Sequence, residues 1–93
     1  MIKSFKCREA QKIYNREYSR KLPQKIQKTA IRKLWMINAA ASLSDLRLPP
    51  ANCLEPLKGG RKGQYSIRVN DQWRICFKWA EGDAYNIEII DYH

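Results

Sequence analysis

The amino-acid sequence predicts an α+β fold in which two N-terminal helices pack on a twisted, mainly antiparallel sheet of three to four strands. Two patterns predict this class. Apolar residues recur every three or four positions from about Arg8 to Ala41, and they alternate with polar residues from Tyr65 to Ile89. The 93 residues suit one small domain, assigned to residues 1–93, and leave no room for a second functional module.

Helical spacing places both helices in the first half of the chain. The first is predicted from about Arg8 to Arg20, and its apolar positions are Ala10, Ile13, Tyr14 and Tyr18. The second is predicted from about Gln24 to Ala41, and its apolar positions are Ile26, Ala30, Leu34, Ile37 and Ala41. Pro49-Pro50 excludes further helix and opens a linker that runs to Gly63. A weaker alternation over Met1 to Phe5 indicates a short N-terminal edge strand.

The C-terminal third predicts three strands and the register of the first hairpin. A two-residue turn at Asn70-Asp71 would mix the two faces of the sheet, so a three-residue loop from Asn70 to Gln72 is expected. That loop sets three pairs of residues opposite each other: Val69 and Trp73, Ile67 and Ile75, Arg68 and Arg74.

The same test applied to the second hairpin predicts a five-residue loop from Ala80 to Ala84. The expected pairs are Trp79 and Tyr85, Phe77 and Ile87, Ile75 and Ile89. This alternation assigns the three aromatic residues Trp73, Trp79 and Tyr85 to the buried face rather than to base stacking.

Composition narrows the class of partner. The chain carries 18 Lys and Arg against 9 Asp and Glu, a formal charge of +9, which favours a polyanion and nucleic acid first among them. No segment approaches the roughly 18 apolar residues of a membrane-spanning helix, and the N-terminus lacks a signal-like apolar region. A cytoplasmic protein without membrane contact is therefore expected.

The number and spacing of the cysteine and histidine residues limit which disulfides, metal sites and cofactors can be expected. Cys7, Cys53 and Cys76 are widely spaced, which predicts buried thiols rather than a disulfide framework or a zinc site. With a single histidine and no carboxylates at ligand spacing, no metal site and no cofactor are expected.

Three basic groups are candidates for binding phosphate, and each has a plainer alternative. Arg68 and Arg74 oppose each other in the predicted register, so they either splay into water or form a fork for phosphate. The glycine-rich loop with Lys58, Arg61 and Lys62 either binds phosphate or is a solvated turn. A stripe on the second helix either follows a nucleic-acid backbone or is an ordinary polar face. Its residues are Lys21, Lys25, Lys28 and Arg32.

A carboxylate, a phenol and the only histidine follow the last predicted strand as Asp91-Tyr92-His93, here called the tail. Together they offer the acid and base that phosphodiester cleavage needs without a metal. The alternative is a frayed, solvated segment.

Several of these motifs resemble one toxin family. They are the run Glu55-Pro56-Leu57-Lys58-Gly59, the strand residues Ser66 to Asn70 and Trp73 to Phe77, and Asp91-Tyr92-His93. This set is similar to the HigB branch of the RelE/ParE superfamily, which includes GraT-like proteins. Some HigB proteins carry a histidine where this chain has Glu55, so a histidine-based role cannot be carried over to that position.

The resemblance implies a toxin of a type II toxin–antitoxin pair that acts as a ribosome-dependent mRNA interferase. Such toxins cut the message in the A site by 2′-hydroxyl attack, without a metal. It implies that Lys58 and Arg74 bind the phosphate, with Arg68 as a secondary candidate. Asp91 and His93 become the acid–base pair, with their order left open, and Tyr92 positions the base or stacks on it.

The resemblance also implies partners: a HigA-like helix-turn-helix antitoxin, the translating ribosome with its mRNA and rRNA, and operator DNA bound by the toxin–antitoxin complex. Two alternatives remain at this point. One is a ParE-like gyrase inhibitor, against which the tail and Lys58 argue, and the other is a non-catalytic basic module that binds nucleic acid.

Overall fold

The computed structural model describes residues 1–91 and contains two α-helices on one face of a four-stranded antiparallel sheet. The helices are α1 (Arg8–Tyr14) and α2 (Gln24–Ala39). The strands, adjacent in chain order, are β1 (Glu55–Pro56), β2 (Gln64–Arg68), β3 (Trp73–Ala80) and β4 (Asp83–Asp91). The predicted fold class is confirmed. Within the described residues, neither helix is long and apolar enough to cross a membrane.

Helix α1 ends at Tyr14, well before the predicted end at Arg20. The chain leaves the helix because Arg16 takes a left-handed conformation, with φ of 65°, that an α-helix cannot accommodate. Tyr18 therefore lies in the connection to α2 and is 61% exposed, so its predicted place on the apolar face is wrong.

Helix α2 provides the apolar stripe that the spacing predicts. Ile26, Ala30, Leu34 and Ile37 are all buried, and they pack in the core with inward-facing residues of β2, β3 and β4. The helix ends at Ala39, so Ala41 lies beyond it and is exposed, contrary to the prediction.

The first hairpin has the predicted register, with Ile67 opposite Ile75 and Arg68 opposite Arg74. Val69 donates its backbone N–H to the carbonyl of Trp73 at 2.9 Å, which closes the loop at the predicted position. The three-residue connection is confirmed.

The second hairpin differs from the prediction near its turn. Ala80 pairs with Asp83, so the connection is the two-residue turn Glu81–Gly82 and not a five-residue loop. Both turn residues have positive φ, 52° and 82°, as a type I′ turn requires. Further along the hairpin, Ile75 does pair with Ile89 as predicted.

A bulge reconciles these two halves of the hairpin. Asn86 has φ of 55° and lies where the register shifts by one residue, opposite the stretch from Cys76 to Lys78. Beyond the shift Trp79 pairs with Ala84, and Tyr85 pairs with Lys78 on the other face of the sheet. The prediction of a buried Tyr85 is therefore wrong, because Ala84 takes the core position. Trp73 and Trp79 pack against the core as predicted.

The N-terminal residues lie parallel to β4 along its free edge. Only isolated bridges form, between Ile2 and Ala84 and between Phe5 and Ile87, so the edge position is confirmed but no continuous strand results. The bulge interrupts the pairing, and there the backbone N–H of Asn86 donates to Ser4 Oγ at 2.9 Å instead.

The segment predicted as a linker folds into short elements. It contains two 3₁₀ helices, at Pro50–Asn52 and Gly59–Arg61, with β1 between them, and another 3₁₀ helix, Leu43–Arg47, precedes it. Because β1 pairs with β2, the segment follows the β2 edge of the sheet.

The Glu81–Gly82 turn gives a test of the revised hairpin. Gly82→Ala should lower the free energy of unfolding by about 1 kcal/mol, since a side chain disfavours the left-handed conformation. Glu81→Asn should raise it by roughly 0.5 kcal/mol, since asparagine tolerates positive φ. Urea denaturation measures both. Equal stability of Gly82→Ala and the unsubstituted protein would contradict the type I′ turn.

Candidate active site

The sheet face opposite the helices, here called the outer face, carries polar residues that are largely buried. Alternation along the strands places Ser66, Arg74, Cys76 and Glu88 there. Arg74 is 9% exposed and Glu88 8%, while Ser66 and Cys76 are fully buried. Buried polar side chains require hydrogen-bond partners, so the contacts on this face determine what it can bind.

Arg74 is held from two directions by the protein. Its Nε donates to Ser66 Oγ at 2.8 Å, and its Nη2 donates to the backbone carbonyl of Cys53 at 2.6 Å. Glu55 Oε1 lies 3.8 Å from Nη2. These contacts fix the plane of the guanidinium group, whose rigid fork of donors suits the oxygens of a phosphate.

The two opposed arginines do not form a common fork. Arg68 pairs with Asp71 in the hairpin loop, whereas Arg74 turns toward Ser66 and Cys53. Like charges directly opposite each other on a sheet repel, and here the repulsion is relieved because each arginine has its own acceptors. Arg68 therefore lies close to Arg74 along the sheet but points its charge elsewhere.

In the glycine-rich loop, called the basic loop from here on, two of the basic residues face solvent and one turns inward. Lys58 precedes the 3₁₀ helix Gly59–Arg61, and both Lys58 and Lys62 are exposed. Arg61 turns inward, where its Nη2 donates to Glu88 Oε1 at 2.5 Å and Lys6 Nζ lies 3.6 Å from Glu88 Oε2. The hydrogen bond with Glu88 raises the pKa of Arg61. Arg61 thus closes the loop over the outer face.

The tail is described only as far as Asp91. This residue ends β4 as the partner of Trp73, and its Oδ2 accepts a hydrogen bond from Gln72 Nε2 at 3.0 Å. Ile90 pairs with Arg74, so Asp91 lies at the same end of the sheet as Arg74. Its side chain is on the Trp73 face, however, which is opposite the outer face that carries Arg74. Tyr92 and His93, the other predicted members of the group, lie outside the described residues.

The thiols differ from the prediction at one position. Cys76 is buried and burial raises its thiol pKa, and Cys7 is half-buried, but Cys53 is exposed. Cys53 follows the 3₁₀ helix Pro50–Asn52 in a left-handed conformation, and its backbone carbonyl, not its thiol, contacts Arg74. Among residues 1–91, no three His, Cys, Asp or Glu side chains are grouped closely enough to hold a metal ion.

The basic stripe lies on the other side of the molecule. Its four residues, Lys21, Lys25, Lys28 and Arg32, are exposed along and just before α2. Because α2 buries its opposite side against the core, the stripe and the outer face are separated by the helix layer and the sheet. Trp35 extends this surface, 43% exposed, with Arg16 5.2 Å above its ring. The structure does not bring the stripe together with Arg74.

Sequence reasoning missed two contributors to the site. Ser66 alternates with the core residues Tyr65 and Ile67, so the strand pattern contained the signal that it shares a face with Arg74. The carbonyl of Cys53 carries no such signal, since no side-chain pattern reveals a backbone acceptor.

The fold and the outer face define a small, basic α+β protein of the RelE-like toxin architecture. The structure is similar to YafQ from Escherichia coli, with a TM-score of 0.60, 18% identity and coverage of 98% of this chain and 91% of that one. It is also similar to YoeB from Staphylococcus aureus, with a TM-score of 0.58, 22% identity and coverage of 99% and 94%. At these identities the likeness concerns the fold alone.

Sequence comparison identifies the family. The HigB-like toxin family, described as the RelE-like toxin HigB of type II toxin–antitoxin systems, matches residues 3–93. Toxin HigB-1 of Vibrio cholerae is 41% identical over 87 residues, which cover 92% of each chain. Endoribonuclease HigB of Proteus vulgaris is 34% identical over 93 residues, which cover 100% of each. The chain belongs to the HigB-like toxin family, and as a type II toxin it has an antitoxin partner.

The Arg61–Glu88 pair gives a test of how the basic loop is held. Arg61→Met should lower the free energy of unfolding by about 1–2 kcal/mol, because Glu88 then keeps only the longer contact with Lys6 while remaining buried. Lys62→Met, an exposed neighbour in the same loop, is the matched control and should change stability little. Thermal or urea unfolding measures the free energy of unfolding of both variants. Equal effects would contradict a structural role for the pair.

Proposed function

We propose that this toxin stops translation by cutting mRNA in the A site of the ribosome, through metal-independent attack of the 2′-hydroxyl on the adjacent phosphate. Endoribonuclease activity follows from the HigB family and from the Proteus vulgaris relative named Endoribonuclease HigB. The observation that carries the proposal is the guanidinium group of Arg74, which Ser66 and Cys53 fix on the outer face.

The attack places additional negative charge on the phosphate oxygens. A cation that is already oriented stabilises that charge without reorganising during the reaction, and this is often the largest single catalytic contribution. Arg74 meets that requirement because its plane is set by the protein. Lys58 is exposed on the loop above the same face and supplies a second cation that moves to the phosphate when RNA binds.

Two proton transfers complete the reaction. A base removes the proton from the 2′-hydroxyl as its oxygen bonds to phosphorus, and an acid protonates the 5′-oxygen as its bond to phosphorus breaks. The products are a 2′,3′-cyclic phosphate and a 5′-hydroxyl. We assign these steps to Asp91 and His93, with Tyr92 positioning the base, and the order of the pair stays open. The tail follows Ile90, the strand partner of Arg74. Because the side chain of Asp91 is on the opposite face of the sheet from Arg74, we propose that it reaches the phosphate around the end of β4.

Glu55 is the second carboxylate near the phosphate position. It lies 3.8 Å from Arg74 Nη2 and is partly exposed. Its negative charge repels an incoming phosphate. We therefore propose that RNA displaces Glu55 from Arg74 and that the tail performs the proton transfers.

The remaining basic residues bind RNA outside the reacting phosphate. Arg61, Lys62 and Arg68 surround the outer face, where the message lies. The stripe on α2 faces away from it and contacts rRNA phosphates of the cytoplasmic ribosome. A HigA-like helix-turn-helix antitoxin neutralises the toxin, and their complex binds operator DNA.

Cleavage on programmed ribosomes tests the function. Purified protein and a defined message should give new 5′ ends at the A-site codon. Arg74→Met should lower the single-turnover rate by about 10² to 10³, the loss typical of removing one charge-stabilising donor. Asp91→Ala should lower it by about 10² to 10⁴, the usual contribution of one proton-transfer group.

Arg20→Met, which removes an exposed arginine between the helices, is the control and should cleave normally. Intact message with the unsubstituted protein on ribosomes would overturn the proposal in favour of a gyrase inhibitor or a binding module. Cleavage that persists in Arg74→Met would remove the arginine from the mechanism.

Salt dependence tests the stripe. Each phosphate contact contributes about one to the slope of log affinity against log salt, so neutralising Lys25, Lys28 and Arg32 together should lower the slope of ribosome binding by about three. Neutralising Lys3, Arg8 and Arg47, three exposed cations elsewhere, is the control. Filter binding over a range of salt concentrations measures both. An equal change in the two triple variants would show that total charge, rather than the stripe, governs binding.

A further inference from the structure

One of the acceptors that hold Arg74 belongs to a backbone conformation that most residues avoid. Cys53 has φ of 46° and ψ of 53°, in the left-handed region, and in this conformation its carbonyl meets Arg74 Nη2 at 2.6 Å. A non-glycine residue in that region carries strain of about 1 kcal/mol or more, and it persists only where its surroundings hold it there. The contacts that hold Cys53 in this conformation come from the preceding residue, Asn52.

Asn52 is fully buried, and all of its hydrogen-bonding groups in the side chain are used. Its Nδ2 donates to the carbonyls of Leu46 and Leu48, each at 3.2 Å. Its Oδ1 accepts a hydrogen bond from Lys33 Nζ. The amide therefore ties together the segment before Pro49, the turn at Cys53 and helix α2.

Lys33 reaches Asn52 from the otherwise apolar side of α2. It is 8% exposed, and its burial lowers the pKa of its ammonium group. Lysine is seldom buried without an acidic partner, yet here it donates to a neutral amide, which compensates little of the charge. This hydrogen bond orients the Asn52 amide, with its oxygen toward Lys33 and its NH₂ group toward the carbonyls of Leu46 and Leu48.

We infer that Asn52 and Lys33 are positioning residues for Arg74, acting through the carbonyl of Cys53. Lys33 orients the Asn52 amide, Asn52 holds the turn, and the turn holds one guanidinium nitrogen at the phosphate position. The catalytic importance of this chain of contacts rests on the proposed function, in which Arg74 binds the scissile phosphate. The contacts themselves link the helix layer to the outer face around the β2 edge of the sheet.

A double-mutant cycle with Arg74 tests the inference. Asn52→Ala should lower the single-turnover rate on saturating programmed ribosomes about tenfold to a hundredfold, the effect of displacing a catalytic group by roughly an ångström. The concentration of programmed ribosomes that gives the half-maximal rate should change little. In an Arg74→Met background the same substitution should have no further effect on the rate, because residues that act through a shared group are not additive. Lys33→Met provides a second variant that leaves Asn52 in place.

Ser19→Ala is the matched control for lost stability. Ser19 is fully buried, its Oγ donates to Glu9 at 2.6 Å and accepts from the Leu22 N–H at 3.3 Å, and it lies between the helices, away from the outer face. This variant should be destabilised while keeping its rate. A rate loss in Ser19→Ala as large as that in Asn52→Ala would overturn the inference, because general loosening would then explain both.

A readout without RNA separates this inference from the proposed function. The Nε–H of Arg74 donates to Ser66 Oγ, so ¹⁵N NMR should detect a protected, slowly exchanging signal. Faster exchange in Asn52→Ala and Lys33→Met, with the signal unchanged in Ser19→Ala, would support the positioning role even if the protein failed to cut mRNA. An unchanged Arg74 signal in both variants, or equal rate losses with and without Arg74, would overturn it.

Discussion

The burial of polar side chains on the outer face of the sheet is the constraint on which the rest of the structure depends. A small domain has little apolar surface to spare, yet this one encloses Arg74 and Glu88 on the side away from its core. Each group needs acceptors or countercharges at short distance. The segment between α2 and β2 provides them, through the carbonyl of Cys53 and through Arg61, and this requirement explains why that segment is folded rather than extended.

The bulge at Asn86 is the second constraint, and it couples the two ends of the sheet. It lets a tight turn at one end coexist with the core register at the other. It also leaves a backbone N–H for Ser4, which joins the N-terminal residues to β4. One inserted residue thus determines both which side chains of β4 enter the core and how the start of the chain is attached.

Prediction from sequence succeeded where side-chain periodicity is strong. Helix α2 and the first hairpin follow their apolar patterns, and the face that carries Arg74 follows from them. It failed where backbone conformation decides: α1 ends at the left-handed Arg16, the second hairpin turns at Glu81–Gly82, and Tyr85 changes face at the bulge. A positive φ at arginine, cysteine or glutamate leaves almost no trace in the sequence. The Cys53 carbonyl escaped detection for the same reason, whereas Ser66 could have been read from the alternation of β2.

The attachment of residues 1–6 to β4 has a consequence for the order in which the sheet forms. Segments separated by most of the sequence hydrogen-bond directly, through contacts such as that of Lys3 N–H with the carbonyl of Ala84 at 2.8 Å. Contacts between distant segments form at a higher entropic cost than those within a hairpin, because a long loop must close first. The two hairpins can therefore form from local contacts alone, whereas the edge beside β4 is completed only when the ends of the domain meet.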